Sequence, residues 1–378
     1  MPEKNKKINV LHLLSSLQVG GLEKLLLDLI KAGETETNDV TFTVAVMNDK
    51  VDEGLKQEFL DTKYNIYFLN RKEGHKHPKY FFQILDIIKK NKIDIIHTHT
   101  YGGKAWSMLL KIFNPKIKLV YTIHDSVIIN NLSKMKLFMH NLFIDMTIAI
   151  SEVIYQDCMK INILKTIKVY NGIDTKKLIV KKDKPSYTEV LNIINVSRIN
   201  HVKKGQDVLA KALKTCKDKG LKFKCSLIGT IHHFTAHDRA TFEYLSNLIK
   251  ELGLEEEVLF LGTRHDVPEL LSQADLFILP SRFEGFPISI LEAMSSRLPI
   301  ISSNISGSNE LIKSEETGLL FESEDHAELA DKILYLYNNK EKMEYLAKNA
   351  YQYVQGFDIS VMHENYCNIY KNFTGREN

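Results

Sequence analysis

Short apolar runs alternate with amphipathic segments along the whole chain, in the repeating order strand, helix, strand. In the first part of the chain, six apolar runs are predicted to be buried strands: 8–14, 40–46, 65–69, 93–99, 118–123 and 146–150. The stretches between them, such as 22–32 and 79–91, have the apolar spacing of amphipathic helices. This alternation predicts a parallel sheet with helices on both faces.

The pattern begins again after a charged stretch at 175–187. Further strands are predicted over 191–197, 222–229, 257–262, 275–280 and 298–302. Helices are predicted over 204–220, 287–296, 326–339, 340–354 and 358–373. The chain is therefore predicted to be an α/β protein with two doubly wound domains that join near residues 173–187.

Length, composition and charge agree with two soluble globular domains. A chain of 378 residues exceeds one ordinary domain, and 44% apolar with 26% charged residues excludes a disordered protein. The net charge of +3 is too small to indicate nucleic acid, and no basic stripe with interleaved aromatic residues is present. Residues 1–180 carry 26 basic and 19 acidic residues (+7), whereas 181–378 carry 24 and 28 (−4). The basic first half indicates either an anionic partner or simply solvated lysines.

The four cysteines form no C-x-x-C pair, and the start of the chain reads as a first strand rather than a signal peptide. No run of 18 apolar residues is present that would cross a membrane. We therefore expect a reduced, cytoplasmic protein. The cysteines are Cys158, Cys216, Cys225 and Cys367.

Candidate ligand-binding residues are sought at the carboxyl ends of the strands, where open parallel sheets bind their ligands. Gly20 and Gly21 follow the first strand and precede a helix, a position that lets backbone N–H groups approach an anion. The G-x-G-x-x-G pattern of dinucleotide-binding proteins is absent. A simple tight turn is the alternative interpretation.

Three histidines also follow predicted strands. His97 and His99 end the strand at 93–99, and His124 follows the strand at 118–123. The adjacent Asp125 could orient the ring of His124. Alternatively, each histidine is a packed structural residue.

The segment after residue 197 combines fixed positive charges with a glycine. Arg198 ends a predicted strand, while Lys203, Lys204 and Gly205 are predicted to open the following helix. An arginine that binds bidentately and a lysine beside it suit a diphosphate. The alternative is an ordinary pair of charges at the start of a helix.

The segment PSRFEGFPISILEAM places two carboxylates around a helix start. Glu284, Gly285 and Phe286 lie in the loop, Pro287 begins the helix, and Glu292 lies about two turns later. Such carboxylates can accept hydrogen bonds from sugar hydroxyls, while the helix N-terminus holds a phosphate. A capping acid and an unrelated surface acid are the alternative.

Two further segments carry open interpretations. His232, His233 and His237 lie in a loop without a carboxylate or cysteine that would complete a metal site, so a polar loop is favoured over a metal site. The segment 129–143 mixes lysines and a histidine with Leu, Met and Phe. It is interpreted either as a surface that lies on an anionic membrane or as an ordinary helix packed on the sheet.

Over essentially its whole length, the chain resembles the retaining glycosyltransferases of family 4, also called group 1. The resemblance rests on an E-x-seven-E pair, an Arg and a Lys for the donor diphosphate, a glycine loop before the first helix, and a histidine after a strand. In this chain these are Glu284 and Glu292, Arg198 and Lys204, Gly20 and Gly21, and His124. It departs from the family at Gly229–Leu245, where a short Gly-rich turn is usual, and mildly at SGSNE, which contains Gly307 and Glu310.

The resemblance implies a GT-B fold, in which two Rossmann-like domains face each other across a cleft. Residues 1–180 would bind the acceptor, with a C-terminal helix at 358–375 packing back on them. Residues 188–355 would bind the nucleotide sugar. The implied reaction moves a hexosyl group from a nucleotide sugar, by family preference a UDP-sugar, to a hydroxyl of a glycan or lipid-linked acceptor, with retention and without metal.

The resemblance also implies a role for each site residue. Arg198 and Lys204 stabilise the leaving diphosphate, Glu284 binds the donor sugar and Glu292 binds the ribose. His124 contacts the transferred sugar. The remaining substrate-binding residues are Gly20, Gly21, Gly285, Phe286, Pro287, Ile288, Thr263 and Arg264, the last two in a candidate base pocket.

No cofactor and no nucleic-acid partner is expected. The expected location is the cytoplasm, with peripheral contact at the inner face of the plasma membrane, in the synthesis of surface polysaccharides or glycoconjugates. A sugar-nucleotide epimerase of the same architecture and a non-catalytic nucleotide-sugar binding protein are the alternatives.

Overall fold

The structure, a computed structural model, describes residues 7–35, 39–125, 129, 132–178, 189–230 and 236–373. It divides into two compact units. The first comprises Met1–Gly172 together with Ile359–Asn378, and the second comprises Ile173–Asp358. Part of the predicted junction, at 179–187, lies outside the described residues.

The first unit is built on a seven-stranded parallel sheet. Its strands are β1 (Ile8–Leu14), β2 (Val40–Asn48), β3 (Asn65–Arg71), β4 (Ile95–Thr98), β5 (Lys118–Ile123), β6 (Met146–Ala149) and β7 (Thr166–Lys168). The strand order is β3-β2-β1-β4-β5-β6-β7, so the direction of winding reverses between β1 and β4. Ligands bind at such a reversal in open α/β sheets.

The described helices of this unit connect the strands, and the last one comes from the C-terminus. They are α1 (Gly21–Thr35), α2 (Glu53–Leu60), α3 (Lys79–Lys90), α4 (Tyr101–Phe113), α5 (Lys134–Phe143), α6 (Glu152–Lys160) and α15 (Ile359–Phe373). At the start of four of these helices, a side-chain oxygen accepts from a backbone N–H group, and the four residues are Asp52, Thr100, Ser133 and Ser151. Helix α15 packs against α1.

The second unit repeats the architecture with six parallel strands. These are β8 (Leu191–Val196), β9 (Phe223–Ile228), β10 (Val258–Gly262), β11 (Leu276–Leu279), β12 (Ile300–Ser303) and β13 (Leu319–Phe321). The order is β10-β9-β8-β11-β12-β13, so here the reversal lies between β8 and β11.

The described helices of the second unit cover both faces of its sheet. They are α7 (His201–Lys204), α8 (Gln206–Asp218), α9 (Ala236–Glu251), α10 (Val267–Gln273), α11 (Ile288–Ser295), α12 (Ser306–Asn309), α13 (His326–Asn338) and α14 (Lys340–Val354), followed by a 3-10 turn at Gln355–Phe357. Leu, Ile, Val and Phe side chains from strands and helices form one buried core here. Burial of each large apolar side chain contributes about 1.5–3 kcal/mol.

The structure confirms the predicted fold class, an α/β protein with two doubly wound sheets. Each of the eleven predicted strands is present, with bounds that agree within two residues. The sequence analysis missed β7 and β13, because three-residue strands are too short to show a pattern. No described helix has both the length and the apolar character that crossing a membrane requires.

Candidate active site

In the second unit, the segments that follow β8 and β11 lie side by side at the reversal of strand order. The backbone N–H of Arg282 donates to the carbonyl of Lys203 over 2.8 Å, and the N–H of Phe283 donates to the same carbonyl over 3.3 Å. The loop after β11 is thereby bonded to the loop after β8. The two charged motifs of the sequence, 80 residues apart, meet at this edge of the sheet.

Lys204 and Glu284 form an ion pair here. The Lys204 ammonium donates to Glu284 Oε1 over 2.6 Å, and the Ser281 hydroxyl donates to the same oxygen over 2.7 Å. The side chains of Lys204 and Glu284 are 22% and 10% exposed, so water screens the pair only partly. A charge-assisted bond of this length is among the stronger hydrogen bonds of proteins. The site is therefore held rigid before any ligand arrives.

A glycine allows the two loops to approach so closely. Gly205 has a φ of +64°, and a Cβ at this position would lie 1.9 Å from the carbonyl oxygen of Pro280. The left-handed backbone ends helix α7, so Lys203 and Lys204 close a separate four-residue helix. The prediction that they open the next helix was wrong, because α8 begins only at Gln206.

Two further glycines permit close approaches at this edge. A Cβ on Gly307 would lie 2.7 Å from the carbonyl oxygen of Glu284, and one on Gly229 would lie 2.0 Å from that of Ser197. Gly307 lies in α12, and Glu310 follows as the C-cap. The glycine of the SGSNE segment thus supports the loop that carries Glu284, and Gly229 supports the end of β8.

Arg282 is a site residue that the sequence analysis did not identify. Its guanidinium donates two hydrogen bonds to the carboxylate of Asp207, over 2.8 and 2.9 Å, and also bonds Glu324 and the His201 carbonyl. Burial by itself would raise the pKa of Asp207, but the hydrogen bonds and charge of Arg282 lower its pKa overall. Arg282 therefore fastens the loop after β11 to α8.

The EGFPI segment leads into α11. Phe286 is buried, Pro287 is the N-cap, and Ile288 is the first helical residue. Pro287 therefore precedes the first helical residue by one position, whereas the sequence analysis placed it at the start of the helix. Glu292 lies in the second turn and is half-buried.

The remaining predicted donor-site residues lie at neighbouring strand ends. Arg198 is exposed, and within the described residues its guanidinium has no hydrogen-bond partner. Thr263 donates to the Thr230 hydroxyl over 3.2 Å, which joins the ends of β10 and β9. Arg264 is exposed and pairs with Asp266, Nε to Oδ1, over 2.7 Å. Arg198 is thus a cation at this edge that no described side chain occupies.

Gly20, Gly21 and His124 lie in the first unit. Gly21 is the first residue of α1, and the φ angle of Gly20 does not lie in the left-handed region. Gly20 is therefore not required there by an unusual backbone conformation. Leu17 bonds the segment after β2 through the carbonyl of Lys50 and the N–H of Asp52, over 3.0 and 2.7 Å. These bonds hold the start of the glycine loop at the carboxyl edge of the sheet.

Four histidines cluster at and below this edge. His12 on β1 is in register with His97 on β4. His12 Nδ1 lies 3.1 Å from His99 Nε2, and His99 Nδ1 lies 3.3 Å from His124 Nε2. The two nitrogens of His97 bond the hydroxyls of Tyr370 and Thr122, over 2.6 and 2.7 Å. The structure thus places all three predicted histidines together and adds His12.

All four histidines are neutral near pH 7. Burial lowers the pKa of His12 to about 3 and that of His124 to about 4, and it holds the pKa values of His97 and His99 well below the usual range. His124 bonds His99 through its Nε2. The suggestion that Asp125 orients the ring of His124 stays a prediction.

Nitrogens of His12, His97 and His99 lie within 4.8 Å of one another, which is close enough to hold a metal ion. The bonds of His97 to Tyr370 and Thr122, of His12 to His99, and of His99 to His124 already use five of their six ring nitrogens. Hydrogen bonds therefore account for the cluster as it stands. Of the other predicted histidines, His232, His233 and the side chain of His237 lie outside the described residues.

Comparison with known proteins agrees with this arrangement. The family model "Glycosyltransferase Family 4" matches residues 19–177, and "Glycosyl transferases group 1" matches residues 177–353. A UDP-Gal:alpha-D-GlcNAc-diphosphoundecaprenol alpha-1,3-galactosyltransferase of Escherichia coli is 26% identical over 95% of each chain. An N-acetyl-alpha-D-glucosaminyl L-malate synthase of Bacillus anthracis is 28% identical over 73% of this chain and 76% of its own.

A solved structure has a similar fold. The crystal structure of Anabaena Alr3699/HepE in complex with UDP and glucose superposes with a TM-score of 0.82 at 22% identity, covering 97% of this chain and all of that one. The two family models together span residues 19–353, nearly the whole chain, and the range matched by the second model contains the charged pair described above. The chain therefore belongs to glycosyltransferase family 4 and has the GT-B fold of a glycosyl-transferring enzyme.

Proposed function

We propose that this glycosyltransferase moves a hexosyl group from a UDP-sugar to a hydroxyl of a lipid-linked glycan, with retention at the anomeric carbon. The product would be part of a surface polysaccharide or glycoconjugate. The observation that carries the proposal is the ion pair of Lys204 and Glu284 at the strand-order reversal of the second unit. In this pair, a cation that would bind a diphosphate lies beside a carboxylate that would bind sugar hydroxyls.

The donor would bind at the second unit. As the bond to the sugar breaks, negative charge develops on the leaving diphosphate, and Lys204 with Arg198 would stabilise it in place of a metal ion. Glu284 would accept from a hydroxyl of the donor sugar, and Glu292 from the ribose. The amides of Gly285 and Phe286 lie next to Glu284 in the chain and would donate to the ligand. Thr263 and Arg264 would line the base.

Retention follows from the same assignment. The leaving phosphate oxygen would take the proton of the attacking hydroxyl on the same face of the sugar, so the protein supplies charge and position rather than a nucleophile. His124 would donate to the transferred sugar, and the loop with Gly20 and Gly21 would bind phosphate and acceptor.

The two relatives act on different acceptors, one lipid-linked and the other malate. A surface of the first unit favours the lipid-linked class. Helix α5 buries a polar residue and exposes apolar ones, the reverse of an ordinary amphipathic helix. His140 is its buried residue, whereas Met135, Phe138 and Leu142 are 69%, 62% and 60% exposed. The segment predicted as a membrane surface therefore turns apolar side chains outward.

The exposed apolar surface continues onto α4. Ile112 and Phe113 are 56% and 66% exposed, and Lys111 of the same helix donates to the carbonyl of Phe143 at the end of α5 over 3.0 Å. Residues 101–145 contain six lysines and two acids, a net charge of 6 − 2 = +4. Lys104 is buried and Lys111 pairs with Asp145, whereas Lys134 and Lys136 of α5 are exposed. Apolar side chains among lysines suit an anionic lipid surface. We propose that α4 and α5 hold the enzyme peripherally at the inner face of the plasma membrane.

Flotation with vesicles tests this surface. The protein should float with phosphatidylglycerol-containing vesicles, less with purely phosphatidylcholine vesicles, and less at high salt. Phe113→Ser with Phe138→Ser should reduce flotation about tenfold or more, whereas Tyr345→Ser, an aromatic that is 50% exposed in the second unit, should not. Equal flotation of the double variant and the control would overturn the assignment.

A panel of nucleotide sugars tests the reaction itself. Release of nucleoside diphosphate is measured with each donor, with a diphospholipid-linked sugar and with malate as acceptors, in the presence and absence of EDTA. We expect UDP release that needs the lipid-linked acceptor, is unchanged by EDTA, and yields a product with the donor's anomeric configuration by NMR. Inversion, or loss of activity with EDTA, would contradict the mechanism.

The same panel separates the two alternatives. An epimerase would convert the nucleotide sugar without any acceptor and without a lasting transfer product. A non-catalytic binding protein would shift its melting temperature with the donor but release no diphosphate. Since Arg198, Lys204 and Glu284 are all present, we expect turnover.

A further inference from the structure

Three histidines of the first unit form a hydrogen-bonded relay from the interior of the sheet to its carboxyl edge. The relay consists of His12 within β1, His99 directly after β4, and His124 directly after β5. His12 and His99 are buried, and His124 is the half-buried member at the edge. The joining distances are 3.1 Å between His12 and His99, and 3.3 Å between His99 and His124.

We propose that His12 and His99 are positioning residues that hold the proton of His124 on Nδ1, so that His124 presents an N–H donor to an oxygen of the bound sugar. The inference rests on the proposed function for the identity of the ligand. The tautomer itself is a property of the relay alone.

Bonding rules allow only two proton arrangements. A neutral imidazole has one N–H and one acceptor nitrogen, so both hydrogen bonds form only if every proton lies on Nδ1 or every proton lies on Nε2. In the first arrangement His12 donates to His99, and His99 donates to His124. In the second, the direction is reversed along the whole relay.

The buried end of the relay selects the first arrangement. His12 Nε2 is buried and has no hydrogen-bond partner among the described residues. With the proton on Nδ1 this atom is an unused acceptor, whereas the reverse arrangement would leave an orphaned N–H in the core. Buried N–H groups without a partner are the rarer case in proteins. The protons of His12, His99 and His124 therefore all lie on Nδ1.

His97 keeps the middle ring in place. Its ring stacks on that of His99 with centroids 4.3 Å apart and an angle of 26°, and its nitrogens are fixed by Tyr370 and Thr122. Tyr370 belongs to the C-terminal helix α15. The geometry of His124 thus depends on a helix far away in the sequence.

NMR of protein labelled with 15N-histidine tests the relay directly, because long-range 1H–15N correlations distinguish the two tautomers. Wild-type His124, assigned with His124→Gln, should be the Nδ1–H tautomer. His140 is an internal control of the opposite kind: Lys104 lies 3.4 Å from its Nδ1 and Thr147 2.8 Å from its Nε2, so its proton should lie on Nε2. A His124 signal with the proton on Nε2, or averaged between both, overturns the proposal.

Variants connect the tautomer to catalysis. His99→Phe keeps a ring for stacking but removes both bonds, so His124 should become a mixture of tautomers. With the best donor, kcat should fall about tenfold with little change in KM, which corresponds to one ordinary hydrogen bond. His12→Asn keeps a donor near the Nδ1 position and should retain both tautomer and kcat, unlike His12→Phe. Unchanged kcat in a folded His99→Phe protein overturns the positioning role.

The outcomes remain distinguishable from failure of the proposed function. If no sugar is transferred, the wild-type spectrum still decides the tautomer, as it does if His99→Phe fails to fold. If the tautomer is as expected but His124→Ala keeps full turnover, the ligand assignment fails and the relay stands. Metal analysis completes the test, because one equivalent of zinc on His12, His97 and His99 would replace the hydrogen bonds and overturn the relay.

Discussion

Replacing Lys204 by alanine should remove most of the catalytic rate. The side chain is 22% exposed and donates over 2.6 Å to a carboxylate that is 10% exposed, so its position is set before the donor binds. Losing one preorganised group that stabilises a developing negative charge costs about 3–4 kcal/mol of barrier, or about 10²- to 10³-fold in kcat. We expect a loss of that size with the best UDP-sugar.

The neighbouring lysine provides a matched control. Lys203 lies in the same short helix and carries the same charge, but its side chain is exposed and it contributes its backbone carbonyl to the site. Lys203→Ala should therefore change kcat by no more than about twofold. Ser281→Ala removes the second donor to the Glu284 carboxylate without a change of charge, and the loss of one hydrogen bond to a charged group corresponds to a decrease of kcat by about tenfold or more.

The assay is release of UDP at saturating donor, together with urea unfolding of each variant. Lys204→Ala leaves a mostly buried carboxylate without its cation, so its free energy of unfolding should also fall, by about 1–3 kcal/mol. If folded Lys204→Ala kept kcat within about threefold of the wild type, or if Lys203→Ala lost as much, the phosphate site would be assigned to the wrong lysine.

Three further predictions concern stability. Arg282→Ala leaves a buried aspartate unpaired and should lower the free energy of unfolding by about 3 kcal/mol or more, with incomplete rescue by Arg282→Lys in urea titrations. Gly205→Ala should lower the free energy of unfolding more than Gly253→Ala. Both glycines have a φ of +64°, but only a Cβ at position 205 would meet a carbonyl oxygen, that of Pro280 at 1.9 Å. Equal unfolding midpoints of the two variants would contradict this. The pKa values of His12 and His140, lowered to about 3, keep both neutral in the folded state, while the unfolded chain takes up protons below about pH 6.5. The free energy of unfolding should therefore decrease as the pH is lowered from 7.5 to 5, by up to about 2 kcal/mol per histidine. An unfolding free energy that does not change over this pH range would show that these rings are not buried in the neutral form.

Most of the fold could be predicted because buried parallel strands are nearly continuous apolar runs. The strand at 118–123, for example, has the same bounds in the structure as in the prediction. Strands β7 and β13 could not be found, since three residues carry no period and their pairing depends on neighbours in the sheet. The separate helix α7 was merged with α8, because one glycine between two helical patterns does not show its φ angle in the sequence.

The site was predictable where the signal was local. Lys204 and Glu284 each lie in a recognisable segment after a strand, and the order of the strands brings the two segments together. Arg282 was not predictable, because its carboxylate partners Asp207 and Glu324 lie 75 and 42 residues away without a shared pattern. Likewise, the bond between His124 and His99 was not predictable, because His99 follows the neighbouring strand β4 and is 25 residues away.

The two units have the same strand-order reversal but different electrostatics at it, and this difference supports the proposed assignment of their ligands. In the second unit the edge carries Lys204 and Arg198, charges that a diphosphate requires. In the first unit the edge carries histidines that burial keeps neutral, so it offers N–H and acceptor nitrogens without charge. Neutral groups of this kind suit the hydroxyls of a sugar, and would gain little from a phosphate. The lysines that make the first unit basic include the exposed Lys134 and Lys136 of α5, where in the proposed function an anionic membrane rather than the donor would meet them.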